Sequence, residues 1–266
     1  MAAKFLVKRK SNLYSKYLHR SVHFEYIYPV QWKTSKQKRI LLLNDGQDAD
    51  AINLYSSLEK CYLQHHEQPL LVLAIHSNEE RLNEYGTSGK PDYLKRGAKA
   101  HLYEWFILNE LIPHTEKEFS FEAEKALTYF AGFSLGGLSA FNIVWNNHDT
   151  FSKVGVFSGS FWWRSKPLGK GYKDTDRIMH ALIKRSKTKR ALKFWLQTGT
   201  ADETNDRNSN GIIDSIDDTL DIVEELTEAG VSRKNDIEYI EMKDGKHHPS
   251  TWAKVFPQFL NWVLKD

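Results

Sequence analysis

The segment GFSLGG, residues 132–137, holds a serine in a setting that can make it a nucleophile. Gly132 precedes Ser134 by two positions, and Gly136 and Gly137 follow it, which gives the pattern Gly-x-Ser-x-Gly. Glycine inside a strand or helix costs about 0.5–1 kcal/mol relative to alanine, so this cluster indicates a backbone shape that side chains would obstruct. The spacing is that of a nucleophile elbow, a sharp strand-to-helix turn that exposes a serine hydroxyl. The alternative is a serine that caps a helix beside packing glycines.

The residues on either side of Ser134 favour the elbow. LTYFAG (127–132) has the continuous apolar character of a buried strand, and an amphipathic helical pattern begins at Leu135. In such a turn the amide of Leu135 lies at a helix N-terminus, where it can stabilise a developing oxyanion.

A serine nucleophile needs a base, and that base needs an acid to orient it. In the elbow fold the acid and the histidine follow the serine in chain order, each after a later strand. Here one apolar strand pattern is followed by Asp202 and Glu203, and the next by His247 and His248. The sequence therefore predicts an acid and a base in the required order, with two neighbouring candidates for each.

Short apolar runs alternate with longer helical patterns along the chain. The strand patterns are FEYIY (24–28), ILLLN (40–44), LLVLAI (70–75), LTYFAG (127–132), VGVFSG (154–159), KFWLQTG (193–199) and IEYIEM (237–242). The helical patterns occupy 98–112, 135–147, 214–230 and 251–265, and Pro257 is expected to kink or delay the last one. This alternation predicts an α/β fold with a mostly parallel central sheet and helices on both faces. The loops 77–97 and 200–213 follow strands, at the carboxyl edge where such sheets place their sites.

Composition narrows the function classes. The 266 residues are 41% hydrophobic and 13% aromatic, which suits one α/β domain over residues 1–266. The net charge is +3, and basic residues are dense only in the first twenty positions, so we expect a solvated N-terminal extension over 1–20 and no nucleic-acid partner.

Cys61 is the only cysteine, which excludes an intrachain disulfide and a four-cysteine metal site. No run approaches the roughly 18 apolar residues of a membrane helix and no secretory signal is visible, which predicts a cytoplasmic protein without a membrane partner.

Several segments together resemble a known family. They are GFSLGGLSAF (132–141), VFSGSFWW (156–163), GKHHPSTW (245–252), NDGQ (44–47), ERLNEYG (80–86) and LNELIP (108–113). In this order they are similar to the esterase family that contains enterobactin esterases, feruloyl esterases, esterase D and the antigen 85 acyltransferases. The resemblance runs from about residue 20 to the C-terminus. It implies an α/β-hydrolase fold and action on a small-molecule ester without a catalytic cofactor.

The resemblance also implies catalytic roles. Ser134 matches the nucleophile, and Asp202 matches the acid, with Glu203 as the alternative. His247 matches the base, because the family histidine lies five residues before a tryptophan, here Trp252. Lys246 stands where the family has a glycine, which bears on the geometry of this loop.

Further roles follow from the same resemblance. The backbone N–H groups of Leu135 and Gln47 would bind the oxyanion, since Gln47 follows the Asp-Gly segment. Phe161 and Trp162 match aromatic residues of the substrate pocket. Arg81 would contact a substrate carboxylate or catechol, and the alternative is an ion pair with Glu79, Glu80 or Glu84.

The segment DRNSNGIIDSID (206–217) has the spacing of a twelve-residue calcium loop, with Gly211 at the sixth position. The predicted side-chain ligands are Asp206, Asn208, Asn210, Asp214 and Asp217, with the carbonyl of Ile212. Two features weaken this interpretation: the twelfth residue is Asp, and no helix precedes the loop. The alternative is an Asx-rich turn that caps the next helix. A calcium ion here would be structural and would rigidify the loop that carries Asp202.

The predicted activity is therefore that of a serine esterase that works through an acyl-enzyme. Two alternatives stay open. One is an acyltransferase of the same fold, which would pass the acyl group to an alcohol other than water. The other is a catalytically inactive hydrolase fold that serves as a calcium-dependent binding module.

Overall fold

The computed structural model describes residues 6–186 and 190–265, and its strands form one eight-stranded sheet. The strands are β1 (Leu6–Ser15), β2 (Arg20–Pro29), β3 (Arg39–Asn44), β4 (Leu70–Ile75), β5 (Thr128–Phe133), β6 (Lys153–Phe157), β7 (Lys193–Ala201) and β8 (Ile237–Lys246). Their order in the sheet is β1-β2-β4-β3-β5-β6-β7-β8. β1 pairs antiparallel with β2, and β2 pairs antiparallel with β4. All pairings from β4 to β8 are parallel.

Helices cover both faces of the sheet. They are α1 (Leu54–Gln64), α2 (Arg81–Glu84), α3 (Ala100–Phe106), α4 (Ile112–Phe119), α5 (Leu135–Asn146), α6 (Ile178–Lys184), α7 (Asp214–Glu228) and α8 (Pro249–Leu264). A π-helical segment, Ile107–Leu111, joins α3 to α4. One apolar core contains side chains of α3 to α7, and the core on the opposite face contains side chains of α1 and α8. The predicted α/β fold, with a mostly parallel sheet between helices, is confirmed.

Two of the sequence-based expectations are wrong. Residues 6–15, expected to belong to a solvated extension over 1–20, form β1 and pair with β2 from Leu6 to Ser15. Along β1 more and less exposed residues alternate, as in an edge strand whose outer face carries polar and basic side chains. The expectation that Pro257 delays the last helix is also wrong, because α8 begins at Pro249 and continues past Pro257. Residues 1–5 lie outside the described residues.

Among the helices of residues 6–186 and 190–265, none combines the length and the apolar character that crossing a bilayer requires.

The parallel strands bring five polar residues to one edge of the sheet. Asp45, Ser134, Ser158, Asp202 and His247 each directly follow the last residue of a strand, respectively β3, β5, β6, β7 and β8. The carboxyl ends of parallel strands share an edge, so these residues emerge side by side in the order of the sheet. This edge is therefore the candidate active site.

Candidate active site

Ser134 lies on the turn between β5 and α5 in a strained backbone conformation. Its φ is +52° and its ψ is −123°, a region that residues with a Cβ atom rarely occupy. The Ser134 N–H donates to the carbonyl oxygen of Phe157 at 2.8 Å, and the N–H of Ser160 donates to the Ser134 carbonyl at 3.2 Å. The segment at the end of β6 thus holds the strained residue through both of its peptide groups.

The glycines around Ser134 are required by close approach of the backbone. A Cβ atom on Gly132 would lie 2.4 Å from the carbonyl oxygen of Gly136. A Cβ atom on Gly136 would lie 2.4 Å from Oδ2 of Asp45. Neither position accepts a side chain without movement of its neighbours, which explains the Gly-x-Ser-x-Gly pattern in physical terms.

Asp202 is a carboxylate with little solvation at the end of β7. Burial raises the pKa of its carboxyl group, and the Ser158 hydroxyl, the Gly199 backbone and His247 oppose that rise. Among the described residues, neither carboxylate oxygen of Asp202 has a hydrogen-bond partner, although both are buried. Asp202 thus has acceptor capacity that a ring N–H of the neighbouring histidine can use.

His247 follows β8, and its ring packs edge-on against the ring of Trp252, with 5.5 Å between centroids. The residue as a whole is exposed, but the packed side of the ring loses solvent. This desolvation lowers the pKa of the His247 imidazole, Asp202 and Glu203 oppose the shift, and Arg81 adds to it. A lowered pKa favours the neutral form of the imidazole, which is the form that can accept a proton.

His248, the alternative base, is used in capping α8. Its Nδ1 lies 2.9 Å from Oγ of Ser250 and accepts the N–H of Ser250 at 3.2 Å. This occupied nitrogen makes His248 a less suitable base than His247.

Trp252 connects the base, the nucleophile turn and the surroundings of the acid. Its ring stacks on Phe133, the residue before Ser134, with 5.0 Å between centroids. Its indole N–H donates to Oγ of Ser158 at 3.0 Å. Ser134, Asp202 and His247 thus occupy neighbouring strand ends, but no hydrogen bond joins their side chains among the residues that the structure describes. Oγ of Ser134 instead lies 3.4 Å from Oγ of Ser160.

The two predicted oxyanion donors lie on different loops. Leu135 is the first residue of α5, so its amide has no acceptor within the helix. Gln47 lies in a single 3-10 turn, Gly46–Asp48, which is separated from β3 by Asp45 alone. Its side chain is held at both ends: Oε1 accepts the N–H of Ser77 at 2.9 Å, and Nε2 donates to Oδ1 of Asp45 at 3.3 Å.

Arg81 forms an ion pair that the sequence did not suggest. Its Nε lies 2.7 Å from Oδ1 of Asp45, and its Nη2 lies 2.7 Å from Oδ2. The sequence-based alternative of a pair with Glu79, Glu80 or Glu84 is wrong, because Glu80 and Glu84 pair with other cations. The guanidinium predicted to bind substrate is thus already engaged by a buried carboxylate.

The aromatic residues after β6 have different surroundings. Phe161 is fully buried, and its ring meets Phe141 edge-on at 5.4 Å, so its predicted place in the pocket wall is corrected to the core. Trp163 is also fully buried. Trp162 is half-buried and lines a cavity of about 410 Å³ together with Glu203, the neighbour of Asp202. Of the two predicted pocket aromatics, only Trp162 faces a cavity.

The loop 206–217 brings several of its predicted ligands together. The side-chain amides of Asn208 and Asn210 donate to the same oxygen of Asp217, Oδ2, at 3.0 and 2.9 Å. The carboxylate of Asp206 accepts the N–H groups of Asn210 and Gly211 at 3.1 and 2.9 Å. These bonds are those of an Asx-rich turn, the alternative to a cation site.

Asp214, another predicted ligand, is engaged elsewhere. Its Oδ1 accepts the N–H of Arg207 at 2.8 Å and lies 3.2 Å from Nη1 of the same arginine. The N–H of Ile212 donates to Oδ1 of Asn210 at 2.8 Å. In the described ranges, no group of three or more His, Cys, Asp or Glu side chains has the arrangement of a metal site.

Three residues of this edge were missed by sequence reasoning: Asp45, Ser158 and Trp252. Asp45 and Ser158 each directly follow a strand, so the rule that identified Asp202 and His247, applied to β3 and β6, would have found them. Trp252 served only to choose between two histidines. Nothing in the sequence indicates its hydrogen bond to Ser158.

Comparison with known sequences supports the resemblance. A family model described as "Putative esterase" matches residues 15–263. The protein described as "Uncharacterized protein YbbA" of Bacillus subtilis (strain 168) is 24% identical over 224 residues, which are 82% of this chain and 83% of that protein.

Comparison with solved structures shows the fold. The enterobactin esterase FES from Shigella flexneri, solved in the presence of enterobactin, has 19% identity and a TM-score of 0.74, over 97% of this chain and 58% of that one. The BES protein from Bacillus cereus has 19% identity and a TM-score of 0.71, over 96% and 95% of the two chains. The predicted α/β-hydrolase fold is thereby confirmed, although this chain spans little more than half of the FES chain.

The desolvated imidazole generates a prediction about pH. A general base must be neutral to accept a proton, so if His247 is the base, kcat/KM rises with pH as this ring loses its proton. Because burial lowers the pKa of His247, the midpoint of the acid limb is expected below about 6.5, the ordinary histidine value. The measurement is kcat/KM for a neutral p-nitrophenyl ester between pH 4.5 and 8.5. A midpoint above 7 would contradict the assigned base.

Proposed function

Since this chain belongs to the esterase family matched over residues 15–263, we propose that it hydrolyses carboxylic esters and that Ser134, His247 and Asp202 perform the hydrolysis. The observation that carries the proposal is the positive φ of Ser134, on a strand-to-helix turn that tolerates no side chain at Gly132 or Gly136. Strained backbone of this kind persists only where the surrounding structure enforces it, and it is concentrated at active sites.

The proposed reaction begins with attack of Oγ of Ser134 on the ester carbonyl carbon. The hydroxyl proton passes to the neutral imidazole of His247, and the carbonyl electron pair moves onto oxygen. Collapse of this intermediate breaks the bond to the alcohol oxygen, which takes the proton from His247. Water then attacks the acyl-enzyme by the same steps and releases the acid and free Ser134.

Asp202 is proposed to hold the His247 tautomer that leaves the catalytic nitrogen free to accept a proton. Both of its oxygens are buried, and they have acceptor capacity for the imidazole N–H beside the influence of the Ser158 hydroxyl and the Gly199 backbone. Its negative charge also stabilises the imidazolium, in line with the opposition of Asp202 to the lowered pKa of His247. Hydrogen bonds among such groups often tighten only when substrate binds.

The amides of Leu135 and Gln47 are the proposed oxyanion donors. The Leu135 amide has no acceptor within α5 and belongs to the positive end of the helix. Fixed donors of this kind stabilise charge that develops only in the transition state, which raises kcat.

A small-molecule ester is the proposed substrate, with one of its groups in the cavity beside Trp162. Arg164 and Glu203 share this cavity, and both lie on loops at the carboxyl edge of the sheet. The half-buried indole offers an apolar surface to an acyl or aryl group. Fully buried Phe161 has no part in this proposal.

Replacement of Ser134 by Ala is expected to lower kcat/KM for p-nitrophenyl butyrate by about 10³-fold or more, because no nucleophile remains. The thermal midpoint should stay within a few degrees of the wild-type value. Wild-type turnover by a folded Ser134→Ala protein would refute the proposal.

The adjacent histidines provide a matched pair of variants. His247→Asn should lose activity to a similar extent as Ser134→Ala. His248→Asn should keep it, because asparagine retains an acceptor for the α8 cap. The reverse pattern would assign the base to His248.

A structural calcium ion in the loop 206–217 remains part of the proposal. Its support is the convergence of Asn208 and Asn210 on Asp217, with Asp206 at the start of the loop. Asparagine amides present oxygen in place of nitrogen after a rotation of the side chain, which would turn these contacts into ligands. Asp214 is left out as a direct ligand through Oδ1, since Arg207 occupies that oxygen.

The calcium proposal predicts a higher thermal midpoint in 1 mM CaCl₂ than in EDTA. Asp206→Ala should remove the difference, and MgCl₂ should not reproduce it, because Mg²⁺ gives up its water ligands reluctantly. Turnover at 25 °C should be the same with and without calcium, since the ion takes no part in the reaction. Identical midpoints in calcium and EDTA would show that the loop is only an Asx-rich turn.

A further inference from the structure

Asp45 is a buried carboxylate with an unusual number of donors. It receives the two bonds from Arg81, a bond from the Ser77 hydroxyl at 3.0 Å and the bond from Nε2 of Gln47. The residue is 3% exposed and has a φ of +60°. A carboxylate this well buried is stable only when it is paired and hydrogen-bonded, so Arg81 is required to hold Asp45 in place.

The position of Asp45 gives the ion pair its significance. Oδ2 lies directly over Gly136, in the first turn of α5, where even a methyl group would collide with it. On its other side Asp45 precedes the 3-10 turn that carries Gln47. One carboxylate therefore contacts both loops that would supply oxyanion donors, the Gln47 turn and the start of α5.

The side chain of Gln47 completes the arrangement. It is held between Oδ1 of Asp45 and the N–H of Ser77, the same residue whose hydroxyl reaches Asp45. Displacement of Asp45 would release Gln47 at one end and would move Ser77 at the other. The Asp45 carboxylate holds the side chain of Gln47, and the direction of the Gln47 backbone N–H thus depends on Asp45 and, through it, on Arg81.

We infer that Arg81 and Asp45 form a positioning pair that holds the backbone N–H of Gln47 in place relative to the first turn of α5. This inference rests on the proposed oxyanion role of Gln47. Arg81 acts through Asp45 and does not serve chiefly to bind substrate charge. The planar guanidinium of Arg81 is essential, because a lysine ammonium cannot form two parallel hydrogen bonds to one carboxylate.

The two roles of Arg81 differ in a kinetic readout. A group that binds substrate charge affects KM, and only for anionic esters. A group that positions an oxyanion donor affects kcat, for neutral and anionic esters alike, because that donor acts mainly in the transition state.

The test compares Arg81→Lys with the wild type on neutral p-nitrophenyl butyrate and anionic p-nitrophenyl hemisuccinate. We expect kcat to fall about 100-fold for both esters, the loss that a misplacement of about 1 Å can cause, with KM within about 2-fold. The inhibition constant of an aryl trifluoromethyl ketone, whose adduct carries an oxyanion, should rise by the same factor. An unchanged kcat, or a rise in KM for the hemisuccinate alone, would overturn the inference.

Arg20→Lys is the matched control. Arg20 donates two parallel hydrogen bonds to Glu84, from Nε at 2.8 Å and from Nη2 at 2.5 Å, as Arg81 does to Asp45. Glu84 is the last residue of α2, whereas Arg81 is the first. Its kcat should stay within about 2-fold of wild type. An equal loss in Arg20→Lys would show that α2 as a whole is needed and would overturn the specific role of Arg81.

Gln47→Met provides a second route if Arg81→Lys does not fold. Methionine keeps the length of the side chain but removes both of its hydrogen bonds, so the same loss of kcat is expected with the ion pair intact. Wild-type kcat in this variant would overturn the inference. Failure of the serine mechanism would look different, because Ser134→Ala would then retain turnover whatever Arg81 and Gln47 do.

Discussion

The close approach of backbone to backbone at residues 132–136 is the constraint on which the rest of the site depends. The carbonyl oxygen of Gly136 lies 2.4 Å from the position that a Cβ of Gly132 would take, and within this tight turn Ser134 has a φ of +52°. Strain at Ser134 is tolerated because the end of β6 binds its N–H and its carbonyl. A serine in this position cannot relax into the helix that follows, so its side chain stays at the tip of the turn.

The parallel sheet converts this local strain into a shared site. The carboxyl ends of five neighbouring strands, β3, β5, β6, β7 and β8, are each followed by one polar residue. The order of the strands in the sheet decides which of these residues are neighbours. Trp252, from α8, contacts three of these strand ends: it stacks on Phe133, meets His247 edge-on and donates a hydrogen bond to Ser158. Asp45 performs a similar task on the other side of the nucleophile, where it touches Gly136 and holds Gln47. The site is thus supported from two sides by residues that do not react.

Much of this could be predicted, and the omissions have physical causes. Strands β3 to β7 are readable because continuous apolar runs mark strands that are covered on both faces, whereas the edge strand β8 mixes apolar and charged residues. β1 is an edge strand with alternating lysines and arginine, and α1 is short and half polar, so neither stands out from a surface segment. The Arg81–Asp45 pair joins residues 36 positions apart through close packing of loops, which no periodicity records. Phe161 and Trp162 are adjacent in an irregular segment, so only the folded chain decides which of them faces a cavity.

The most direct test of the central claim is covalent. The folded protein would be treated with a fluorophosphonate, digested and mapped by mass spectrometry. A strained, half-buried serine that is activated by His247 should be phosphonylated, so we predict one adduct, on Ser134, whose rate of formation falls sharply in His247→Asn. An unmodified Ser134 in a protein that still hydrolyses esters, or an adduct on a different serine, would contradict the claim that the turn after β5 carries the nucleophile.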